Sequence, residues 1–199
     1  MLTDYDPLLP LYVYGQGVAA RELEAWIKTT ESHCGKISQI GQDEFSALPH
    51  QSQVIVGFAN NQYRMRTFQS SWRHRYRWVG YVHPSSMIPV DTIFGIGSVI
   101  QPGVWIGHEV TIGNFAWITT LCHVGHGASL GENVVLNPKS LVLGSTCIGS
   151  NVWIGAASTV ADHVTITNNC EFLMTSTVTK SIVQPGRYLG NRRLPDADS

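Results

Sequence analysis

Apolar residues fall on every sixth position through the second half of this chain. The series runs Ile88, Phe94, Ile100, Ile106, Ile112, Ile118, Val124, Leu130, Leu136, Val142, Ile148, Ile154, Val160, Ile166, Phe172 and Val178. Two residues before each stands a small or β-branched side chain, from Ser86, Thr92 and Ser98 to Val164, Cys170 and Ser176. Glycine often follows the large residue, as at Gly95, Gly107, Gly113, Gly125, Gly131, Gly149 and Gly155. Such a period is neither that of a helix nor that of simple strand alternation. It predicts a short strand plus a sharp turn, repeated so that each turn carries the chain onto a new face.

The first 82 residues read differently. Leu11–Tyr14 is a short apolar strand, Gly15-Gln16-Gly17 a tight turn, and Ala19–Lys28 a helix with Leu23, Trp26 and Ile27 on one face. Ile37–Ile40 and Val54–Phe58 read as further strands, Asn60–Trp72 as a second helix, and Trp78–His83 as a closing strand. The alternation β-α-β-β-α-β predicts a small, Rossmann-like parallel α/β domain. The tail from Ser181, rich in turn formers and basic residues, is expected to be a loop over the end of the repeat. The expected division is therefore 1–82, 83–180 and 181–199.

The six-residue pairing of large and small positions resembles the hexapeptide-repeat family. That resemblance implies a left-handed parallel β-helix of triangular section, with three hexads closing one coil. Residues 87–179 would then form about five coils, each rising ~4.8 Å, the spacing of neighbouring strands. The general handedness rule for parallel crossovers points to the right hand, so the left hand rests on the resemblance alone.

Composition fits this reading. Charged residues are only 14% of the 199, with 13 Lys plus Arg against 14 Asp plus Glu and a net charge of −1. Like charges on neighbouring strands destabilise a sheet, so a stacked coil avoids charge in its columns. Between Met87 and Thr179 the charged residues are Lys139, Asp91, Glu109, Glu132, Asp162 and Glu171. Disorder and coiled coil, which need charge, are excluded, and near neutrality argues against a nucleic-acid partner. No apolar run is long enough to span a membrane. The N-terminus lacks the basic start and apolar core of a signal peptide. Cys34, Cys122, Cys147 and Cys170 show no CxxC pairing, so reduced thiols and a cytoplasmic location are expected.

Candidate chemistry centres on Leu121-Cys-His-Val-Gly-His-Gly127. One coil before His126 is His108 and one coil after it is Gly144, so the three should share a column. His123 should share another with Trp105 and Leu141. A neutral β-helix also tolerates histidines on its surface, and that reading stands beside the functional one.

The His-Val-Gly-His spacing before a Leu-Gly hexad resembles the active-site coil of hexapeptide acyltransferases. The resemblance implies that the second histidine, His126, is a general base, with His123 in the same loop. It also implies that the Gly144 N–H, one coil later, holds the oxyanion. An imidazole with a pKa near ~6.5 suits proton removal from an attacking amine or hydroxyl.

From about Leu11 to Gly190 the chain resembles the sialic-acid O-acetyltransferase and bacillosamine N-acetyltransferase type of nucleotide-sugar acyltransferase. Tyr14-Gly-Gln-Gly17 stands at the family's glycine-rich first turn, a natural phosphate seat before a helix. Ala59-Asn-Asn-Gln-Tyr-Arg64 is similar to its Gly-Asn-Asn-x-x-Arg segment, and Val82-His-Pro-Ser85 to its entry into the β-helix. The family implies a nucleotide-linked sugar at Gly15, Gln16, Gly17, Asn60, Asn61 and His108. It also implies acetyl-CoA at Gly144, Ala156 and Met174 between the neighbours of a homotrimer, and no metal. Asn60 also reads as a plain helix cap.

Four departures stand out. Gly127 follows His126 where the family has Asp or Glu, Val18 and Val135 replace histidines, and Gly190-Asn-Arg-Arg193 replaces a terminal Gly-x-Pro-Ala. The expected activity is N-acetylation of a nucleotide-linked amino sugar. The alternatives are O-acetylation of a sugar hydroxyl and a degenerate, non-catalytic trimeric scaffold or sensor. A γ-type carbonic anhydrase site on His108, His123 and His126 is disfavoured, because that family places two ligands five apart rather than three. The basic residues Arg64, Arg66, Arg73, Arg75 and Arg77 read as a solvated or diphosphate-facing surface.

Overall fold

A computed structural model describes residues 1–31, 35–69 and 71–195, so Cys34 lies outside the described residues. The chain divides into two compact units, Met1–Pro84 and Ser85–Ser199.

The first unit contains β1 (Leu2–Thr3), β2 (Leu11–Tyr14), α1 (Val18–Thr30), β3 (Ile37–Ile40), α2 (Gln42–Ala47), β4 (Gln53–Val56), α3 (Asn61–Gln69), β5 (Arg77–Trp78) and β6 (Gly80–Val82). Strands β3, β2, β4 and β5 lie in that order as one parallel sheet. Helix α1 buries Ala20, Leu23 and Ile27. A Cβ at Gly57 would stand only 2.8 Å from the Ala20 Cβ, so the glycine is what lets α1 approach so closely.

Three elements differ from the sequence expectation. Helix α2 is too short to carry a helical period, and its start is held locally by the Glu44 carboxylate accepting from the Gly41 N–H at 2.9 Å. The second expected helix ends at Gln69, and Ser71–His74 is a separate 3₁₀ turn. Strand β1 pairs antiparallel with β6, a long-range contact with no local signature.

The second unit is a parallel β-helix, or solenoid. Its two-residue strands pair at a constant offset of eighteen, as in Trp105↔His123↔Leu141, Thr111↔Ser129↔Cys147 and Trp117↔Val135↔Trp153. The strands therefore stack into three sheets. From Ile100 onward every large repeat residue and every small partner from Ser98 is buried, whereas Ile88 and Phe94 are only half-buried at the first coil. Buried hydroxyls on the small positions are satisfied: Ser140 Oγ donates to the Gly155 carbonyl at 3.0 Å and Thr146 Oγ1 to that of Leu143 at 2.7 Å.

The corners obey a second rule. Gly97, Gly103, Glu109, Phe115, Leu121, Gly127, Asn133, Lys139, Ser145, Asn151, Ala157, His163, Asn169 and Thr175 all have φ between 54° and 70°. These positions recur every six residues, and Thr175 is the only β-branched residue among them, as left-handed backbone demands. Three asparagines share one corner column and bond into a ladder. Asn133 Nδ2 donates to Asn151 Oδ1 at 3.1 Å, and Asn151 Nδ2 to Asn169 Oδ1 at 3.2 Å.

The tail is not the loop expected. Gly186–Leu189 adds a further parallel rung beside Cys170–Phe172, and Arg192–Arg193 turns back antiparallel on it. Its register, Phe172↔Tyr188, is sixteen rather than eighteen, which is why the six-residue count did not reveal it. The Phe172 and Tyr188 rings stack with centroids 5.3 Å apart.

The asparagine ladder predicts a graded cost. Asn151→Ala removes two amide bonds and puts a less tolerant residue in left-handed backbone, so chemical denaturation should show a loss of about 1–3 kcal/mol. Asn151→Gly keeps the backbone freedom and should lose less. Equal losses would show that the amides contribute nothing.

Candidate active site

Two adjacent columns run along one corner of the β-helix. Val90, His108, His126, Gly144 and Asp162 form one; Asp91, Glu109, Gly127, Ser145 and His163 form the other. Backbone bonds link their rungs: Gly127 N–H to the His108 carbonyl at 2.8 Å, Ser145 N–H to that of His126 at 2.8 Å, and His163 N–H to that of Gly144 at 3.0 Å. Elsewhere between Met87 and Thr179 the charged residues and histidines are only His123, Glu132, Lys139 and Glu171. The corner thus concentrates the titratable chemistry of a fold that otherwise avoids it.

His126 and Gly144 are brought together. A Cβ on Gly144 would stand 2.9 Å from both Cε1 and Nε2 of the His126 ring. The imidazole therefore occupies the space that any other residue at 144 would fill. Among the described residues the Gly144 N–H has no hydrogen-bond acceptor. Gly125 is required just below, because a Cβ there would lie 2.6 Å from the Gly144 nitrogen. A proton acceptor and an unengaged N–H donor thus lie against one another at an exposed corner.

His108 occupies the rung before, mostly exposed, with Nδ1 3.2 Å from Asp91 Oδ2. Desolvation pushes the Asp91 carboxyl up, but the Glu109 N–H and His108 outweigh it and hold it below the usual range. The Asp91 partnership was missed in the sequence, although stepping back one coil less one residue from His108 finds it.

His123 lies on the flat face instead. Its ring stacks on Trp105 with centroids 4.4 Å apart and planes 10° off parallel, and desolvation lowers its pKa. His108, His123 and His126 therefore do not share one environment. Among the described residues no group of three His, Cys, Asp or Glu side chains could hold a metal ion.

Ala156 and Met174 share a column, joined by the Thr175 N–H donating to the Ala156 carbonyl at 2.8 Å. Met174 is 69% exposed. They stand two hexads on from Gly144, at a different corner of the triangle. One chain does not bring Gly144 and Ala156 together. Val135 is fully buried.

In the first unit, Gly15, Gln16 and Gly17 follow the carboxyl end of β2, and Asn60 follows that of the adjacent β4. Gly15 has φ +136°, and a Cβ there would meet the Phe58 ring at 3.2 Å, so the two turns lie side by side. Gly17 precedes α1 with no side-chain cap and nothing within 4 Å of where its Cβ would be. The Gln16 carbonyl accepts from Arg21 Nη1 at 3.0 Å. Asn60 caps α3, its Oδ1 accepting from the Tyr63 N–H at 3.2 Å, while the Asn61 side chain lies outside the described residues.

The basic residues do not form one surface. Arg64 is buried, with Nη1 donating to the Phe58 carbonyl at 2.9 Å and a pKa lowered by burial to about 9. Arg75 Nη2 donates to the Leu48 carbonyl at 2.7 Å. Among the described residues no helix is long and apolar enough to cross a membrane.

The architecture defines a class, a parallel β-helix carrying an N-terminal α/β unit, and its relatives are sugar acyltransferases. No protein-family model matches the chain. The acetyltransferase domain of PglB from Neisseria gonorrhoeae, solved with acetyl coenzyme A, superposes with a TM-score of 0.82 at 20% identity, covering 94% of this chain and 98% of that one. A histidine-to-asparagine variant of perosamine N-acetyltransferase from Caulobacter crescentus, solved with CoA and GDP-perosamine, gives 0.80 at 18% identity over 94% and 97%. These similarities establish the fold. By sequence, GDP-perosamine N-acetyltransferase from Escherichia coli O157:H7 is 28% identical over 109 residues, covering 55% of this chain. The match spans about half of that relative, 49% of its length.

The Trp105 contact carries a prediction. Trp105→Ala opens one face of the His123 ring to water, so the His123 pKa should rise toward its ordinary value in an NMR titration. An unmoved pKa would show that the indole is not what desolvates it.

Proposed function

We infer that this chain is an acetyl-CoA-dependent acyltransferase that N-acetylates the amino group of a nucleotide-linked sugar. The observation that carries this reading is the His126 imidazole seated over the Gly144 backbone, with the Gly144 N–H unengaged. His126 Nε2 accepts the proton as the acceptor nitrogen attacks the thioester carbonyl. The new C–N bond forms, the C–S bond breaks, and the proton passes from His126 to the departing thiolate. The Gly144 N–H donates to the carbonyl oxygen as it gains charge, a contribution of about 3 kcal/mol.

Direct transfer fits the cysteines. Burial pushes the Cys122 thiol up to about 11 inside the coil, and Cys147 sits on a different sheet from His123 and the turn that follows it. Neither thiol is hydrogen-bonded to His126 among the described residues.

The first unit is read as Rossmann-like. Its chain runs from β2 to β3 on one side, then crosses to β4 on the other, and ligands favour the carboxyl ends at such a switch point. Gly15, Gln16, Gly17 and Asn60 surround that point, and the uncapped first turn of α1 suits a diphosphate. The second unit is read as left-handed from its resemblance to the hexapeptide-repeat family.

The assembly is read as a homotrimer with CoA between neighbours. Because Gly144 and Ala156 occupy different corners of one chain, a CoA that touches both needs a second copy. Trp105 and Leu141, each 40% exposed, and Leu121, at 59%, give an apolar surface for it.

The test is a CoA-release assay over nucleotide-linked amino and hydroxy sugars. Turnover with an amino sugar supports N-acetylation, and turnover only with hydroxy sugars would move the reading to O-acetylation. His126→Ala should lose about 10²–10⁴ in kcat while still binding CoA. Gly144→Ala, whose Cβ displaces the ring, should lose activity with the fold intact. An unchanged rate in His126→Ala, or loss with His123→Ala alone, would overturn the assignment of the base.

A further inference from the structure

His126 lacks the acid that the neighbouring position would supply, because Gly127 follows it. The same corner shows how a β-helix can supply a carboxylate from elsewhere. Asp91 reaches His108 Nδ1 at 3.2 Å from the coil below, at a separation of 17 residues. Glu109 stands in the same column as Asp91 and is separated from His126 by the same 17.

We propose that Glu109, one coil below, is the positioning carboxylate for His126 Nδ1. The proposal rests on the reading of His126 as the base. Four features of the corner support it. Glu109 lies directly beneath Gly127, whose missing side chain leaves the way open; a Cβ at 127 would meet only Ser145, at 3.5 Å and beyond. The Gly127 N–H is already bonded to the His108 carbonyl at 2.8 Å, so it does not compete for the carboxylate. Asp91 is engaged by His108 and the Glu109 N–H, whereas the Glu109 carboxylate has no partner among the described residues. Finally, the His126 ring turns its Nε2–Cε1 edge to Gly144, so Nδ1 is the nitrogen left for an acid.

The consequence is chemical. A carboxylate accepting from Nδ1–H fixes the tautomer with its lone pair on Nε2, the atom over Gly144, and favours the imidazolium formed on proton uptake. The titratable groups around His126 within the β-helix are His108, Glu109 and, beyond it, Asp91 from the coils below. His123 lies in its own turn, and Asp162 and His163 stand beyond Gly144. Glu109 combines negative charge with the offset at which Asp91 meets His108; its carboxylate is not within bonding distance of His126 in this structure, so the pairing requires its side chain to turn toward Nδ1.

The experiment uses the full chain, labelled for imidazole NMR, alongside the CoA-release assay. Glu109→Gln should lower the His126 pKa by about one unit and weaken its Nδ1–H tautomer. The acid limb of kcat/KM should move by the same amount, and the optimum rate should fall about tenfold. Glu109→Asp should keep most of the effect, since an aspartate spans the same offset to His108. Asp91→Asn should shift His108 and leave the His126 pKa in place. An unchanged His126 pKa and tautomer in Glu109→Gln would overturn the proposal, even if the wild-type protein turns over. If no acceptor is acetylated by the wild type, the reading of the site fails, and the NMR titration still decides whether the two groups are paired.

Discussion

The coils of the second unit depend on one constraint: each rung pairs with the next at a register of eighteen residues. The sheets are parallel and in register, as Trp105↔His123↔Leu141 shows, so every position sits between two equivalents. A buried column must then be filled without gaps, and columns of large residues run beside columns of small ones. A corner column must accept left-handed backbone, and β-branched residues are almost absent there. Repeated charge would place like against like at strand spacing, which keeps the coil nearly neutral. Composition, periodicity and fold are thus one fact seen three ways.

The same constraint makes the exceptions informative. A fold that pays for charge in its columns nevertheless gathers Asp91, Glu109, Asp162, His108, His126 and His163 into two columns at one corner. Glycine recurs there for a steric reason. Gly107 and Gly125 give way to the backbone of the next coil, while Gly144 gives way to an imidazole. Chemistry in this architecture is written across coils rather than along the chain. Residues 17 or 18 apart meet, and adjacent residues such as His126 and Gly127 point into different surroundings.

Legibility in the sequence varied with how local the physics is. The repeat needed only counting, and it located His126, Gly144 and His108 in one column before any coordinates. Strands β2 and β3 and helix α1 were also readable, because each carries a local apolar pattern. Helix α2 was not, being shorter than two helical turns, nor was β1, which is held by long-range pairing with Tyr81 and Gly80. The last rung escaped because its offset shortens from eighteen to sixteen between Phe172 and Tyr188. Asn60, read either as a ligand contact or as a cap, caps α3 in this structure.

The sequence by itself determined the six-residue repeat, and with the three hexads per coil that the family resemblance implies, it set the columns in which candidate groups stand. It could not determine where side chains turn within a column. That His126 lies over Gly144 while His123 lies flat on Trp105 was decided by the tertiary structure, since ring orientation follows the space that neighbouring coils leave. So was the separation of Gly144 from Ala156 onto different corners. It becomes visible only when the hexads are wrapped around three faces.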